Sequence, residues 1–280
     1  MSFKDYIKEN LPWIRFIYRK RLAPINLIHN IFDKPVVVLL YHRVNYLNRD
    51  LFNINVTPDN FERHIRILKN HYNVVTFNDL KRKDIKEPSV IITFDDGYYD
   101  NYKYAFPILK KYQVPATIFI TSGGVDTGKE FWWDRLETIL FENKNLRESI
   151  ELDISNQRHV FDVSDDKKRL HSFYTLHHIL FSLHPNERDM MLDRWYESYG
   201  LKVNPNNRTM TSSELRALYQ SQLVTLGAHT IHHPALKQIS REEQIHEIQS
   251  SKLFLENLLH TDIDIFAYPF GHKESFDQVT

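Results

Sequence analysis

Two carboxylates stand side by side in the run Thr93-Phe94-Asp95-Asp96-Gly97. Adjacent carboxylates repel one another unless a cation or a shared proton relieves them, so one is suited to hold a metal while the other serves as a general base. The glycine that follows permits the sharp turn that such a pair needs. Further along, His229-Thr230-Ile231-His232-His233-Pro234 sets two imidazoles four positions apart, on one side of a helical turn or compact loop. Neutral imidazole is a borderline ligand that suits divalent zinc, cobalt, nickel or iron. Two histidines and one carboxylate leave coordination positions open for water and substrate, the arrangement of a catalytic rather than a structural metal. His232 stays in contention as the second ligand, because spacing alone does not separate it from His233. A third segment, Phe266-Ala267-Tyr268-Pro269-Phe270-Gly271, fixes a rigid turn whose backbone N–H groups could face a developing oxyanion.

Each segment follows a run that reads as a strand. Residues 35–41 are a continuous β-branched stretch, as expected of a strand buried on both faces. Residues 89–94 and 116–121 read the same way, as do 223–228 and 263–268, with a shorter strand near Val75. Between them lie helical patterns. One opens at Thr57-Pro58 with Phe61, Ile65 and Leu68 as its stripe. Another spans 102–112 with Pro107 inside it, which predicts a kink or a late start. A third covers 241–259. Strands alternating with helices predict an α/β fold with a parallel sheet or barrel. The rhythm breaks over about 125–210, where the chain turns polar and helical, an insertion rather than a separate domain because strand signals resume beyond it.

Bulk composition narrows the function classes. Lys plus Arg and Asp plus Glu both number 36, so no net charge favours nucleic acid as a partner. Cysteine is absent, which removes thiolate chemistry and disulfides. Aromatics, at 13%, fill cores and also suit sugar faces. Residues 1–34 read as an N-terminal helical segment. Its first part interleaves charges with Phe3, Trp13, Ile14, Phe16 and Tyr18, with neither the apolar stretch of a signal peptide nor that of a spanning helix. The expected location is therefore cytoplasmic or peripheral to the inner face of a membrane, with an amphipathic contact through this segment or, alternatively, packing on its own domain.

The three segments, in this order at strand ends, resemble the polysaccharide deacetylases of carbohydrate esterase family four, the NodB-homology group. The family's Thr-Phe-Asp-Asp-Gly motif is matched at residues 93–97, and its His-Ser/Thr-x-x-His-Pro motif at 229–234. The resemblance implies a distorted (β/α) barrel over residues 35–280 carrying the helical insertion. Six strands are counted, so the barrel is expected to be incomplete at the C-terminus. It also implies one divalent metal, zinc first and cobalt or nickel as alternatives, held by Asp96, His229 and His233, with Asp95 as the base. The third motif, usually Arg-x-Pro-Tyr, reads Ala267-Tyr268-Pro269-Phe270 here, so the arginine that orients the base is missing while the Phe270 N–H remains available to an oxyanion. Leu40-Tyr41-His42 resembles the Leu-x-His that a circularly permuted branch, acting on poly-N-acetylglucosamine, supplies from the N-terminal side. His42 is accordingly the expected acid.

The implied activity is release of acetate from N- or O-acetyl groups of a polysaccharide or lipid-linked glycan. Tyr268, Pro269, Trp132 and Trp133 are the candidate substrate-binding residues, the two tryptophans being equally readable as helix packing. Two rival readings use the same residues: a metal-dependent amidase on a non-sugar substrate, and a non-catalytic glycan-binding relic, which the absent arginine motivates.

Overall fold

The computed structural model describes residues 35–82, 85, 87–154, 157–273 and 275–277. The expected N-terminal helical segment and its membrane-facing role lie outside these residues.

The chain begins with strand β1 (Val36–Tyr41), the short strands β2 (Arg43–Val44) and β3 (Asn55–Val56), and helix α1 (Pro58–His71). Thr57 caps α1 by accepting the Asn60 N–H, and Phe61, Ile65 and Leu68 are its buried stripe. Strand β4 (Asn73–Val74) and helix α2 (Phe77–Lys81) lead to β5 (Ser89–Phe94). Helix α3 (Phe106–Tyr112) is preceded by a π-helical turn over Asn101–Ala105 and carries Pro107 in its first turn. The regular helix thus starts late, where a missing proline N–H costs nothing. Strand β6 (Ala116–Ile120) precedes the insertion, which holds α4 (Trp132–Glu137), β7 (Ser149–Ile154), β8 (Gln157–Asp162), α5 (Asp166–Ser182) and α6 (Pro185–Tyr199). Helix α7 (Ser212–Gln220), β9 (Val224–Ala228) and α8 (Arg241–Leu259) return the chain to the main body.

The main sheet is parallel, in the order β1-β5-β6-β9, with β4 beside the first half of β5. Phe266 extends it by a single parallel bridge to Ala228. Every residue of β5 and β6 is buried, as sheet strands covered by helices on both faces must be. Strand β1 departs from its expected burial: Val37, Val38 and Leu40 are each about half exposed. The reason is position, since β1 pairs along its full length with β5 and no described strand pairs with its other edge. Among the described residues the sheet does not close into a barrel.

The insertion is mostly helical, as its sequence implies, and adds an antiparallel hairpin, β7 with β8. It has its own apolar core, in which Trp132, Leu136, Phe173, Leu176 and Leu192 are buried together. No described helix is long and apolar enough to cross a membrane. What matters for chemistry is direction. The carboxyl ends of β1, β5, β9 and the Phe266 bridge deliver His42, Asp95-Asp96, His229 and Phe270 to one end of the sheet, where α/β folds keep their sites.

Candidate active site

Strand β5 ends in a turn built to push one carboxylate inward. The Asp95 N–H donates to the Tyr41 carbonyl at 3.0 Å, and the Gly97 N–H donates back to the Asp95 carbonyl at 3.0 Å. Asp96 between them sits at φ 75°, the middle of a γ-turn in its rare, strained form. Such a backbone costs on the order of 1–3 kcal/mol and persists only where its surroundings impose it. Gly97 is itself at φ 82°, and an added Cβ would come within 3.0 Å of Ile120 Cδ1. The result is Asp96 at 3% exposure.

The histidine loop after β9 is shaped by its own threonine. The Thr230 hydroxyl donates to the His229 carbonyl at 2.6 Å and accepts the His233 N–H at 3.1 Å. Thr230 and His233 both take left-handed backbone, at φ 64° and 53°. Glu247, on α8, clamps the loop from below: it accepts the N–H groups of Ile231 and His232 at 2.8 and 2.9 Å and meets His232 Nδ1 at 2.6 Å. His232 is therefore turned away and His233 faces the acidic turn.

Asp96, His229 and His233 form a buried group whose ligand atoms all lie within 4.8 Å of one another. The two Nε2 atoms stand 3.5 and 3.3 Å from Asp96 Oδ1, yet that oxygen accepts no hydrogen bond of acceptable geometry. Ligands about 2.1 Å from a tetrahedral zinc are spaced by roughly 3.4 Å, which both Nε2–Oδ1 distances match. The His229 Nδ1–H donates to the Ala267 carbonyl at 2.9 Å, which leaves Nε2 with the lone pair. Burial works to raise Asp96, but the two imidazoles outweigh it and hold the carboxyl well below the usual range. Burial pushes His233 down to about 4. For His229 burial acts the same way and is overcome by Asp96 and Asp95, so the net direction is up.

These groups open onto a cleft of about 580 Å³, lined also by His42, Asp95, Trp133, Tyr268 and Phe270. Burial pushes the Asp95 carboxyl above the ordinary range, against the pull of His229 and His42. Phe270, at φ 64°, is the centre of a second γ-turn, closed by the Gly271 N–H on the Pro269 carbonyl at 2.8 Å. Its own N–H bonds no described residue. Its ring packs edge-on to His233 at 4.5 Å.

The sequence model of the polysaccharide deacetylase family matches residues 82–148 and 190–277, more than half of the chain. The chain belongs to the polysaccharide deacetylase family. The unmatched gap falls on the hairpin and α5, so the insertion interrupts a family domain. Among curated relatives, YxkH of Bacillus subtilis is 41% identical over 96 residues, 31% of this chain and 33% of its own length. The poly-beta-1,6-N-acetyl-D-glucosamine N-deacetylase of Staphylococcus aureus is 36% identical over 110 residues, 33% of this chain and 38% of its own length. The chain thus spans little more than a third of the length of the curated relatives it matches. A de-N-acetylase from Aggregatibacter actinomycetemcomitans superposes with TM-score 0.53 at 18% identity, over 87% of this chain and 81% of that one. Streptococcus pyogenes deacetylase PplD does so with TM-score 0.51 at 19% identity, over 87% and 76%. At such identities the likeness is one of fold.

Eight of the residues singled out from sequence line the one cleft: His42, which precedes the family match, and Asp95, Asp96, Trp133, His229, His233, Tyr268 and Phe270 within it. Two do not. Trp132 is corrected from a sugar platform to a core residue: it is 3% exposed, stacked on His177 and covered by the Arg188 guanidinium. Pro269 is buried in its turn, away from the cleft surface. Trp133, one position and about 100° further round the helix, reaches the cleft wall but is itself buried, with Phe131 stacked on its face at 4.7 Å. Its indole N–H donates to the Tyr98 hydroxyl at 2.6 Å, which in turn donates to Asp134 at 2.7 Å. Sequence reasoning missed Glu247, Phe52, Ile54, His177 and His272. Glu247 left a faint signal, an acid on the inner face of a helix, whereas the others are placed only by tertiary docking.

Proposed function

We propose that the chain is a metal-dependent deacetylase that removes acetyl groups from an N-acetylated polysaccharide and releases acetate. The observation that carries this reading is the buried Asp96 oxygen, unpaired between two imidazoles, beside the cleft-facing carboxylate of Asp95. A carboxylate and two imidazoles suit zinc, with cobalt and nickel as alternatives. Held by Asp96, His229 and His233, the ion supplies Lewis acidity and lowers the pKa of water at the site.

The chain's own residues do the rest. Asp95, with its raised pKa, takes a proton from the attacking water and is better matched to neutral pH than an ordinary aspartate. The unpartnered Phe270 N–H donates to the oxygen that becomes negative as the acetyl carbon turns tetrahedral. His42, which lines the same cleft as Asp95, gives a proton to the departing sugar nitrogen or oxygen. Tyr268, exposed at the cleft, offers its ring to the sugar. The name of the Staphylococcus aureus relative makes β-1,6-linked N-acetylglucosamine the first polymer to try.

The test is acetate release from such oligosaccharides by the metal-loaded chain, beside an Asp96→Ala control. Release that disappears in the control supports the reading. Equal release from both proteins removes the metal triad from the reaction.

A further inference from the structure

Beside Trp133, whose indole N–H is already taken by Tyr98, the insertion contributes His177 to the cleft, and His177 plays no part in the chemistry above. His177 projects from α5 into the cleft that holds Asp95, Asp96 and Trp133. Its ring is fixed between aromatic neighbours: Trp132 stacks at 4.7 Å and 30°, and Phe52 lies at 4.9 Å. Neither ring nitrogen bonds a described residue. A half-buried imidazole stacked on Trp132 and flanked by Phe52, lining an open cleft with no hydrogen bond to a described residue, is arranged for a ligand rather than for the fold.

We propose that His177 is a specificity-determining residue that hydrogen-bonds an uncharged polar group of the substrate, a sugar hydroxyl or the acetamide of a neighbouring residue. This rests on the deacetylase reading and extends it to substrate class. Burial pushes the imidazole down to about 4, so at neutral pH the ring offers one N–H and one lone pair and no charge. The rest of the cleft agrees. No Lys or Arg lines it, so beyond the metal centre and the histidines a carboxylated or phosphorylated sugar would find no fixed side-chain cation there. Apart from His272, the remaining non-catalytic wall is apolar or aromatic, from Leu40, Phe52, Ile54 and Trp133. A neutral N-acetylated glycan fits this lining. Because the stretch carrying His177 lies outside the family match, the contact belongs to this chain's insertion rather than to the shared domain.

The experiment is calorimetric titration of a pentamer of β-1,6-linked N-acetylglucosamine into metal-loaded protein carrying Asp95→Asn, which removes turnover from the measurement. His177→Phe keeps the aromatic stack and loses both nitrogens, and His177→Gln keeps a donor and an acceptor. The expected result is binding about tenfold weaker for His177→Phe, which is 1.4 kcal/mol, with a partial return for His177→Gln. In the Asp95-intact protein His177→Phe raises KM more than it lowers kcat. Unchanged affinity in His177→Phe, equal loss in both variants, or no binding of the pentamer by any protein would each overturn the proposal. The deacetylase reading fails separately, if the pentamer binds with the His177 difference intact and the wild-type chain releases no acetate.

Discussion

His229 hands its Nδ1 hydrogen to the main-chain oxygen of Ala267 at 2.9 Å. Ala267 stands where the family pattern has arginine, and it reaches the site through its backbone, a contact that any residue can supply. The missing guanidinium therefore leaves the metal-facing nitrogen of His229 correctly oriented. Asp95, without such a cation, is left to burial, which raises its carboxyl, and to His229 and His42, which pull it down.

Metal binding should be visible as stability. A ligand at 100 times its Kd stabilises the native state by about 2.7 kcal/mol, or roughly 5–10 °C in Tm for a chain of this size. After chelation, added zinc should raise the wild-type Tm by that order in a calorimetric scan, and Asp96→Ala should show no rise. A wild-type Tm indifferent to zinc, cobalt and nickel would count against the triad as a metal centre.

Glu247 should matter to metal affinity although it touches no ligand atom. Its carboxylate satisfies two loop N–H groups and the His232 ring. Glu247→Ala strands those donors at a cost of about 1–3 kcal/mol for each one left buried, and outer contacts of this kind alter metal affinity by roughly 10–100-fold. Glu247→Gln, which keeps an acceptor oxygen, should lose much less. Urea midpoints and competition with a zinc indicator measure the two effects. Full zinc affinity in Glu247→Ala would show that Thr230 alone holds the loop.

The sequence was most legible where burial is two-sided. Residues 89–94 and 116–121 announced β5 and β6 because helix-covered parallel strands have no polar face. The hairpin carried a signal too: Ile150 and Leu152 are buried and alternate with the exposed Glu151, but the charged setting hid so short a period. Trp132 and Trp133 show a harder limit. Adjacent aromatics on one helix cannot be told apart until the face that meets the cleft is known. His177 is one of 15 histidines, and only the docking of α5 against Phe52 and Trp132 distinguishes it.

Beneath Trp133, stability should depend on pH through Asp134. Arg43 lies 2.9 Å from Asp100 and 3.4 Å from Asp134, so one guanidinium serves two buried carboxylates. Burial outweighs its share at Asp134 and raises that carboxyl to about 7, and burial raises Glu137 to about 7 as well. A folded pKa above the unfolded value of about 3.9 means that the native state binds more protons across the interval. The contribution is thus fully present below about pH 4 and lost as pH rises toward 7. Asp134→Asn, which still accepts from Tyr98, should flatten this fall. Urea midpoints at about pH 5 and pH 8 measure it, and parallel pH profiles for variant and wild type would contradict the shift.

The division of labour between the two adjacent aspartates is the sharpest test of the site. Only Asp96 joins the cluster of ligand atoms, turned inward by its γ-turn, while Asp95 remains half-buried and faces the cleft. Asp95→Asn preserves size and removes the proton acceptor, and a positioned general base contributes about 10²–10⁴-fold. The variant should therefore lose acetate release by that order while its metal content, read by plasma mass spectrometry, stays at the wild-type level. His42→Asn should also spare the metal, and its loss should be smaller for an activated acetyl ester, whose leaving group needs no proton. If Asp95→Asn loses the metal as well, the two carboxylates share the ligand role. If it keeps its activity, the base is another group in the cleft, and His42 becomes the next residue to replace.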